Sequence, residues 1–341
     1  MIPLFLPIGP GNFVRAFLII GHFTIIPGMK KILSLLLVFF VLLPVFSENV
    51  DVILLKGPTA MGMAFLMDKA GEKSVDGYEY DFSIEASPDM AIPRIVRGDF
   101  TFASVPLNLA SVLYNRTKGD VSAVAINTLG VLYIAGKDCT ISSLKDLVGK
   151  TIYSAGKGAT PEYVLCYLLK ANGMEIGKDV FVEWKSEHTE CVLALAEDDE
   201  AVALLPEPFL SAALEKDPAL SLLVDLNEEW RLLTGKSVIT GVTIANDEKL
   251  LKDENLLPSF LTAYGNSVER VNSEINEAAM IMERYGIISA AVGEKAIPGS
   301  HIVMISGDEM KDELSSYLEV LYSIDPKSIG GAVPGDDFYQ I

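Results

Sequence analysis

Two short loops carry residue types that could hold a small molecule. One reads Lys56-Gly57-Pro58-Thr59 and the other Lys157-Gly158-Ala159-Thr160, 101 residues later. Each follows an apolar, β-rich run and precedes an apolar helical run. Glycine permits a turn with positive φ, and threonine is a good helix N-cap. Thr160 is expected to cap a helix whose first residue is Pro161, and Thr59 to cap another in the same way. The same loops could instead aim unpaired helix N–H groups at a ligand. In open α/β sheets ligands bind outside the carboxyl ends of the strands, where such loops lie. Both readings stay open on spacing alone. A nucleotide loop does not fit. The phosphate-loop pattern places Lys directly before a hydroxyl residue, whereas Gly158 and Ala159 intervene here. The dinucleotide pattern fails too, because Gly156 and Gly158 are followed by Pro161 rather than a third glycine.

A second cluster, "KSEHTEC" (185–191), places Glu187, His188 and Cys191 close together. A nucleophilic Cys needs a base, an orienting group and an oxyanion hole in one place. On a helix starting near Thr189, Cys191 is expected to point inward. Glu187 and His188 sit at a strand end and are candidates for ligand contact. "SVPLN" (104–108) and "LPEPF" (205–209) form two matching strand-to-helix corners. Ser104, Asn108 and Glu207 offer hydrogen bonds there, and Phe209 offers a ring. Helix capping explains the same residues equally well. Asn127 and Thr128 are weaker candidates at a third strand. Only two further histidines exist, His22 and His301, so a metal site is poorly supported and no cofactor is expected.

The elements that must position these residues fall on one repeating plan. "DVILLKGPTAMGMAFLMDKAG" (51–71) matches "KTIYSAGKGATPEYVLCYLLKANG" (150–173) as strand, loop and helix. "YDFSIEASPD" (80–89) matches "VFVEWKSEHT" (180–189), each alternating like a strand before turning polar. The stretches at 92–114 and 192–214 each read helix, acidic turn, apolar strand, proline, helix, with Pro106 and Pro206 100 apart. Four elements in order at a near-constant offset imply two α/β lobes. Each lobe is a mainly parallel sheet flanked by helices, with right-handed crossovers. The runs at 121–137 and 237–246 read as two crossing strands, and 254–341 reads as a helical tail with one short strand at 301–306. The expected division is 48–136 plus 238–341 for the first lobe and 137–237 for the second. Lobes joined by two crossings hinge around a ligand.

Bulk properties narrow the classes. The chain has 341 residues, half of them hydrophobic, and a formal charge of -19. Nucleic-acid binding needs clustered Lys and Arg, which this composition disfavours. "MKKILSLLLVFFVLLPVFSENV" begins at Met29 with a basic n-region, then an apolar run, then small residues before Glu48. It reads as a secretory signal peptide over 29–47, an uncleaved anchor being the alternative. Residues 1–28 read as a mis-called extension upstream of the true start, or as a hydrophobic hairpin with the signal. Cys139, Cys166 and Cys191 match no zinc spacing, and none sits at the cleavage site to carry a lipid.

"GDFTFASVPLNLA", "LGVLYIAGK…ISSLKDLVGKTIYSAGKGATPEYVLCYLL" and "LLPEPF" together resemble the extracytoplasmic substrate-binding proteins of ABC transporters. Within these the chain is most similar to the group that binds nitrate, sulfonates, taurine and thiamine pyrimidine precursors. The resemblance covers nearly all of residues 50–341. It implies a type II periplasmic-binding fold that closes on one small molecule, as a monomer. It also implies a membrane permease and an ATPase as partners, and a periplasmic or other extracytoplasmic location. By matching loops it implies ligand contacts at Thr59, Met61, Ser104, Asn108, Lys157, Gly158, Ala159, Thr160 and Glu207. The cysteine-rich motif of related fungal pyrimidine-synthesising enzymes is missing, which argues against that activity. Lys157 and the helix starts favour an anionic ligand, while Glu187 and Glu207 favour an N–H-rich heterocycle. An exported enzyme of the same fold, acting through Glu207, His188 or Cys191, is the alternative.

Overall fold

The computed structural model describes residues 48–137 and 140–340. The expected signal peptide, the upstream extension and Cys139 lie outside the described residues. The strands are β1 (Glu48–Leu55), β2 (Tyr78–Glu85), β3 (Phe102–Pro106), β4 (Val121–Leu129), β5 (Leu132–Gly136), β6 (Thr151–Ser154), β7 (Phe181–Trp184), β8 (Val202–Pro206), β9 (Ser221–Asp225), β10 (Ile239–Asn246) and β11 (Ile302–Ile305). The helices that matter here are α1 (Pro58–Met61), α2 (Ala64–Glu72), α3 (Pro88–Val96), α4 (Leu107–Thr117), α5 (Thr160–Ala171), α6 (His188–Glu197), α7 (Phe209–Lys216) and α8 (Leu226–Thr234). The tail adds α9 (Asp247–Leu250), α10 (Leu256–Ser273), α11 (Ile275–Arg284), α12 (Ala290–Gly299) and α13 (Gly307–Ile324).

Two sheets form. The first runs β11-β4-β10-β3-β1-β2 and the second β7-β6-β8-β5-β9. Written from their outer parallel strands, they share one order: β2-β1-β3 corresponds to β7-β6-β8. In both, the middle strand pairs in parallel with its two neighbours. The fourth strand is antiparallel in both sheets, β10 against β3 and β5 against β8. The repeat read from residue offsets is therefore a repeat of topology.

The fourth strands are exchanged along the chain. The apolar run at 121–137 is not one strand but two. It breaks at Gly130 and Val131, so that β4 stays in the first sheet and β5 joins the second. The expected boundary at 136/137 thus lies after a strand that already pairs in the second sheet. Gly130 has a reason to mark the break, since a Cβ there would overlap the side chain of Asn227, whose amide oxygen accepts from the Leu132 N–H at 3.3 Å. The second run does the reverse, leaving α8 to enter the first sheet as β10.

Burial follows this layout. Val50, Val52 and Leu54 of β1 pack in one apolar cluster with α2, α10 and α12, which carry Leu66, Phe260 and Ile297. The tail helices therefore belong to the core of the first sheet. At the return crossing, Trp230 is 1 % exposed, with its ring centroid 4.7 Å from that of Tyr167 and 5.3 Å from that of Tyr317. Lys236, just before β10, pairs with Asp312 of α13 at 2.7 Å. No helix among the described residues is long and apolar enough to cross a membrane.

Candidate functional site

Strand order places the proposed contacts at the carboxyl ends of β1, β3, β6, β7 and β8. On the first sheet they converge around β10. The Thr243 hydroxyl lies 3.2 Å from that of Ser104 and accepts from the Asn127 amide at 3.1 Å. Thr128 donates to the Asn127 oxygen at 2.9 Å. All four residues are essentially unexposed. A buried polar group must be paired, and this network pairs its members across three adjacent strands. Gly241 closes the cluster: a Cβ there would come 2.5 Å from Thr59 Cγ2 and closer still to Asn127 Oδ1. Ser104 and Thr59 are thus brought together, while Asn108 stands half-buried on α4 with no hydrogen-bond partner among the described residues. Met61 is fully buried in the first core, so its side chain packs rather than lining an opening.

The two loops do contain the expected positive-φ glycines, Gly57 at 120° and Gly158 at 77°. The capping expected of the threonines is not found. Gly57 and Ala159 are the N-caps, and neither Thr59 nor Thr160 caps with its side chain. The Thr59 hydroxyl bonds back to the Leu55 carbonyl at 3.1 Å. At the second loop a carboxylate four residues on has taken the role: Glu162 accepts from the Gly158 N–H at 2.6 Å, and Tyr163 donates to the Gly158 carbonyl at 3.0 Å. Lys157 and Gly158 are exposed, and Ala159 and Thr160 half-buried.

The same device recurs at the next helix. Glu190 accepts from the N–H groups of Ser186 at 2.9 Å and Glu187 at 3.4 Å. Glu187 is exposed at the N-cap of α6. His188 begins that helix, one residue earlier than expected, with its ring centroid 4.9 Å from that of Phe209. Its Nδ1 is buried with no hydrogen-bond partner among the described residues, and burial pushes its pKa down to about 4, so the imidazole is neutral. Cys191 is fully buried, as its helix position predicted. Its thiol reaches only the Glu187 carbonyl at 3.8 Å, and burial raises its pKa to about 11. A buried thiol held protonated, with its one hydrogen bond to a backbone carbonyl, is not an activated nucleophile.

Glu207, at the β8–α7 corner, is buried at 5 % exposure. Ser211 donates to it twice, by hydroxyl to Oε1 at 2.9 Å and by backbone N–H to Oε2 at 3.2 Å. Burial raises its pKa, opposed by these bonds and by His301. Gly299, at the end of α12, faces it: a Cβ there would lie 2.8 Å from Oε1. Tyr133 of β5 donates to the Gly299 carbonyl at 2.8 Å. His301 Nδ1 donates to the Gly130 carbonyl at 2.5 Å. Tyr133, Gly299 and His301 had no spacing signal, because they meet only through the exchanged strand and the tail, whereas Ser211 lies one helical turn after Glu207. Gly241 had one, since a glycine inside a strand marks a bulge or close approach. Among the described residues no group of three His, Cys, Asp or Glu could hold a metal.

This two-sheet plan is the periplasmic-binding-protein fold. No protein-family model matches the chain, and no curated protein matches it in sequence. Solved structures match it in fold. An ABC transporter structure from Parabacteroides distasonis superposes with a TM-score of 0.74 at 23% identity, over 86% of this chain and 99% of that one. The periplasmic aliphatic sulphonate binding protein SsuA from Escherichia coli gives 0.65 at 13%, over 85% and 97%. A Candida albicans gene product described as having the generic periplasmic binding protein fold gives 0.52 at 12%, over 85% and 93%.

Proposed function

We propose that the chain is the substrate-binding component of an ABC importer. It closes two lobes on a small polar metabolite, either an amino-heterocycle or a nitrate- or sulfonate-type anion, and delivers it to a permease driven by an ATPase. Residues 29–47 direct it out of the cytoplasm, and it works outside as a monomer. The observation carrying this reading is the pair of polar clusters at matching strand ends, Ser104–Asn127–Thr243 on one sheet and Glu207–Ser211 on the other. Polar groups gathered at strand carboxyl ends in an open α/β sheet are where such folds hold ligands. The buried, protonated state of Cys191, whose thiol bonds only to the Glu187 carbonyl, speaks against the enzymatic alternative. Native mass spectrometry of protein purified without refolding tests the reading. A bound small molecule released intact on denaturation is expected. Turnover of that molecule by the purified protein would overturn it.

A further inference from the structure

We propose that Glu207 makes the closing of the two lobes proton-linked, so that acid favours the closed form. This goes beyond the binding reading above and rests only on the hinged two-lobe fold. Glu207 is the only Asp, Glu, Lys or Arg among the described residues that is buried. Ser211 of α7, in the same lobe, bonds to both carboxylate oxygens. The cover comes from α12, a helix in the core of the first sheet. Gly299 lies so close over the carboxylate that a Cβ there would be 2.8 Å from Oε1. Around this contact the lobes are fastened twice more. The Tyr133 hydroxyl holds the Gly299 carbonyl at 2.8 Å, and Lys295 of α12 pairs with Glu215 of α7 at 3.2 Å. A rotation about the two crossings that parts α12 from α7 returns the carboxylate to water. Closing must strip that water from a charge, whereas the protonated acid closes at much lower cost.

The neighbouring groups do not replace the lost water. On α12, Lys295 is spent on Glu215. On β5, Tyr133 is a neutral phenol, raised above its usual range by burial and by the charges of Asp225 and Glu207. On α6, His188 is neutral and lies against Phe209. His301, just after α12, supports the charge, and its Nδ1 bonds to the Gly130 carbonyl. Burial outweighs it and the Ser211 bonds, so the Glu207 carboxyl sits above its ordinary value. In the open form it returns toward that value, and the closed form therefore binds more protons between the two. The gain in closure is complete below the ordinary value and is lost as pH rises through the closed-form value. One such proton changes the closed-to-open ratio by at most about tenfold per pH unit.

The test is small-angle scattering of the full chain from about pH 8 to about pH 5, above the range in which His188 protonates. The radius is expected to shrink as the pH falls. Glu207→Gln, neutral and of the same size, should show the smaller radius at every pH. Ser211→Ala removes the hydroxyl bond that supports the charge and should move the transition to higher pH. His301→Asn suits the positive φ of 42° at that position and should keep a transition. A wild-type radius indifferent to pH would overturn the proposal. So would a transition that survives Glu207→Gln, and its disappearance in His301→Asn would then assign the proton to the histidine. A transition unmoved by Ser211→Ala would likewise exclude Glu207 as its source.

Discussion

The Tyr133 hydroxyl donates to the Gly299 carbonyl at 2.8 Å, joining residues 166 apart in sequence. Tyr133 opens the strand that enters the second sheet, and Gly299 ends a helix packed on the first. The bond ties the two halves of the molecule at the corner where Glu207 is buried.

Gly299→Ala tests that corner. The new methyl would sit 2.8 Å from Glu207 Oε1 and 3.4 Å from the Tyr133 hydroxyl, so one side must move. Overpacking of this kind costs about 1–3 kcal/mol. The variant is expected to lower the melting temperature, with a larger small-angle scattering radius. An unchanged radius and melting temperature would show that the contact is slack.

Thr243→Val removes the hydroxyl shared by Ser104 and Asn127. Leaving buried partners unpaired costs about 1–3 kcal/mol. Chemical denaturation should show the loss, and the Ser104→Ala, Thr243→Val double variant should lose less than the two singles added.

His188 sets a pH dependence with a definite sign. Its folded pKa, about 4, lies below the 6.5 of an ordinary histidine, so the unfolded chain binds more protons between these values. Its contribution is complete above pH 6.5 and is lost as pH falls toward 4, about 3 kcal/mol at most. Glu207, with its raised pKa, works the other way, gaining stability as pH falls through its folded value. Stability measured from pH 7 to 4 in a Glu207→Gln background removes the opposing contribution of Glu207. His188→Leu in that background should flatten the slope, and a slope unaltered by the change would place the proton elsewhere.

Glu190→Ala frees the Ser186 and Glu187 N–H groups. A lost cap of this sort costs roughly 1 kcal/mol. Hydrogen exchange at those two amides should quicken while the rest of α6 stays protected; equal protection would mean that the carboxylate is dispensable.

Much of the architecture was legible in the sequence because it is local. Strand, glycine turn and helix recur at a fixed offset, and Pro106 and Pro206 mark equivalent corners. The exchange of β5 and β10 was not legible in the same way. Both runs are largely apolar and β-rich throughout, and only Gly130 signals that the first contains two strands. The corner positions of Ser104 and Glu207 were legible, and both side chains are buried and hydrogen-bonded there. Thr59 and Thr160 misled, because a good capping residue loses its role when Glu162 or a glycine turn satisfies the same backbone. Met61 misled because a side chain one turn into a helix can face either way, and here the core took it.

The exchanged strands also set an order of assembly. A chain emerging from its amino end presents β1 to β4 first, but the first sheet lacks its central antiparallel strand until Ile239–Asn246 arrives. Until then β3 and β4 have open edges, the kind of surface that pairs wrongly with other chains. The second sheet needs only Leu132–Asp225, one continuous stretch, and can close earlier. The middle stretch of the sequence should therefore become native first, and the amino-terminal strands should wait for β10 and the tail. That dependence on distant contacts makes for slow folding and a window in which a holding chaperone would matter.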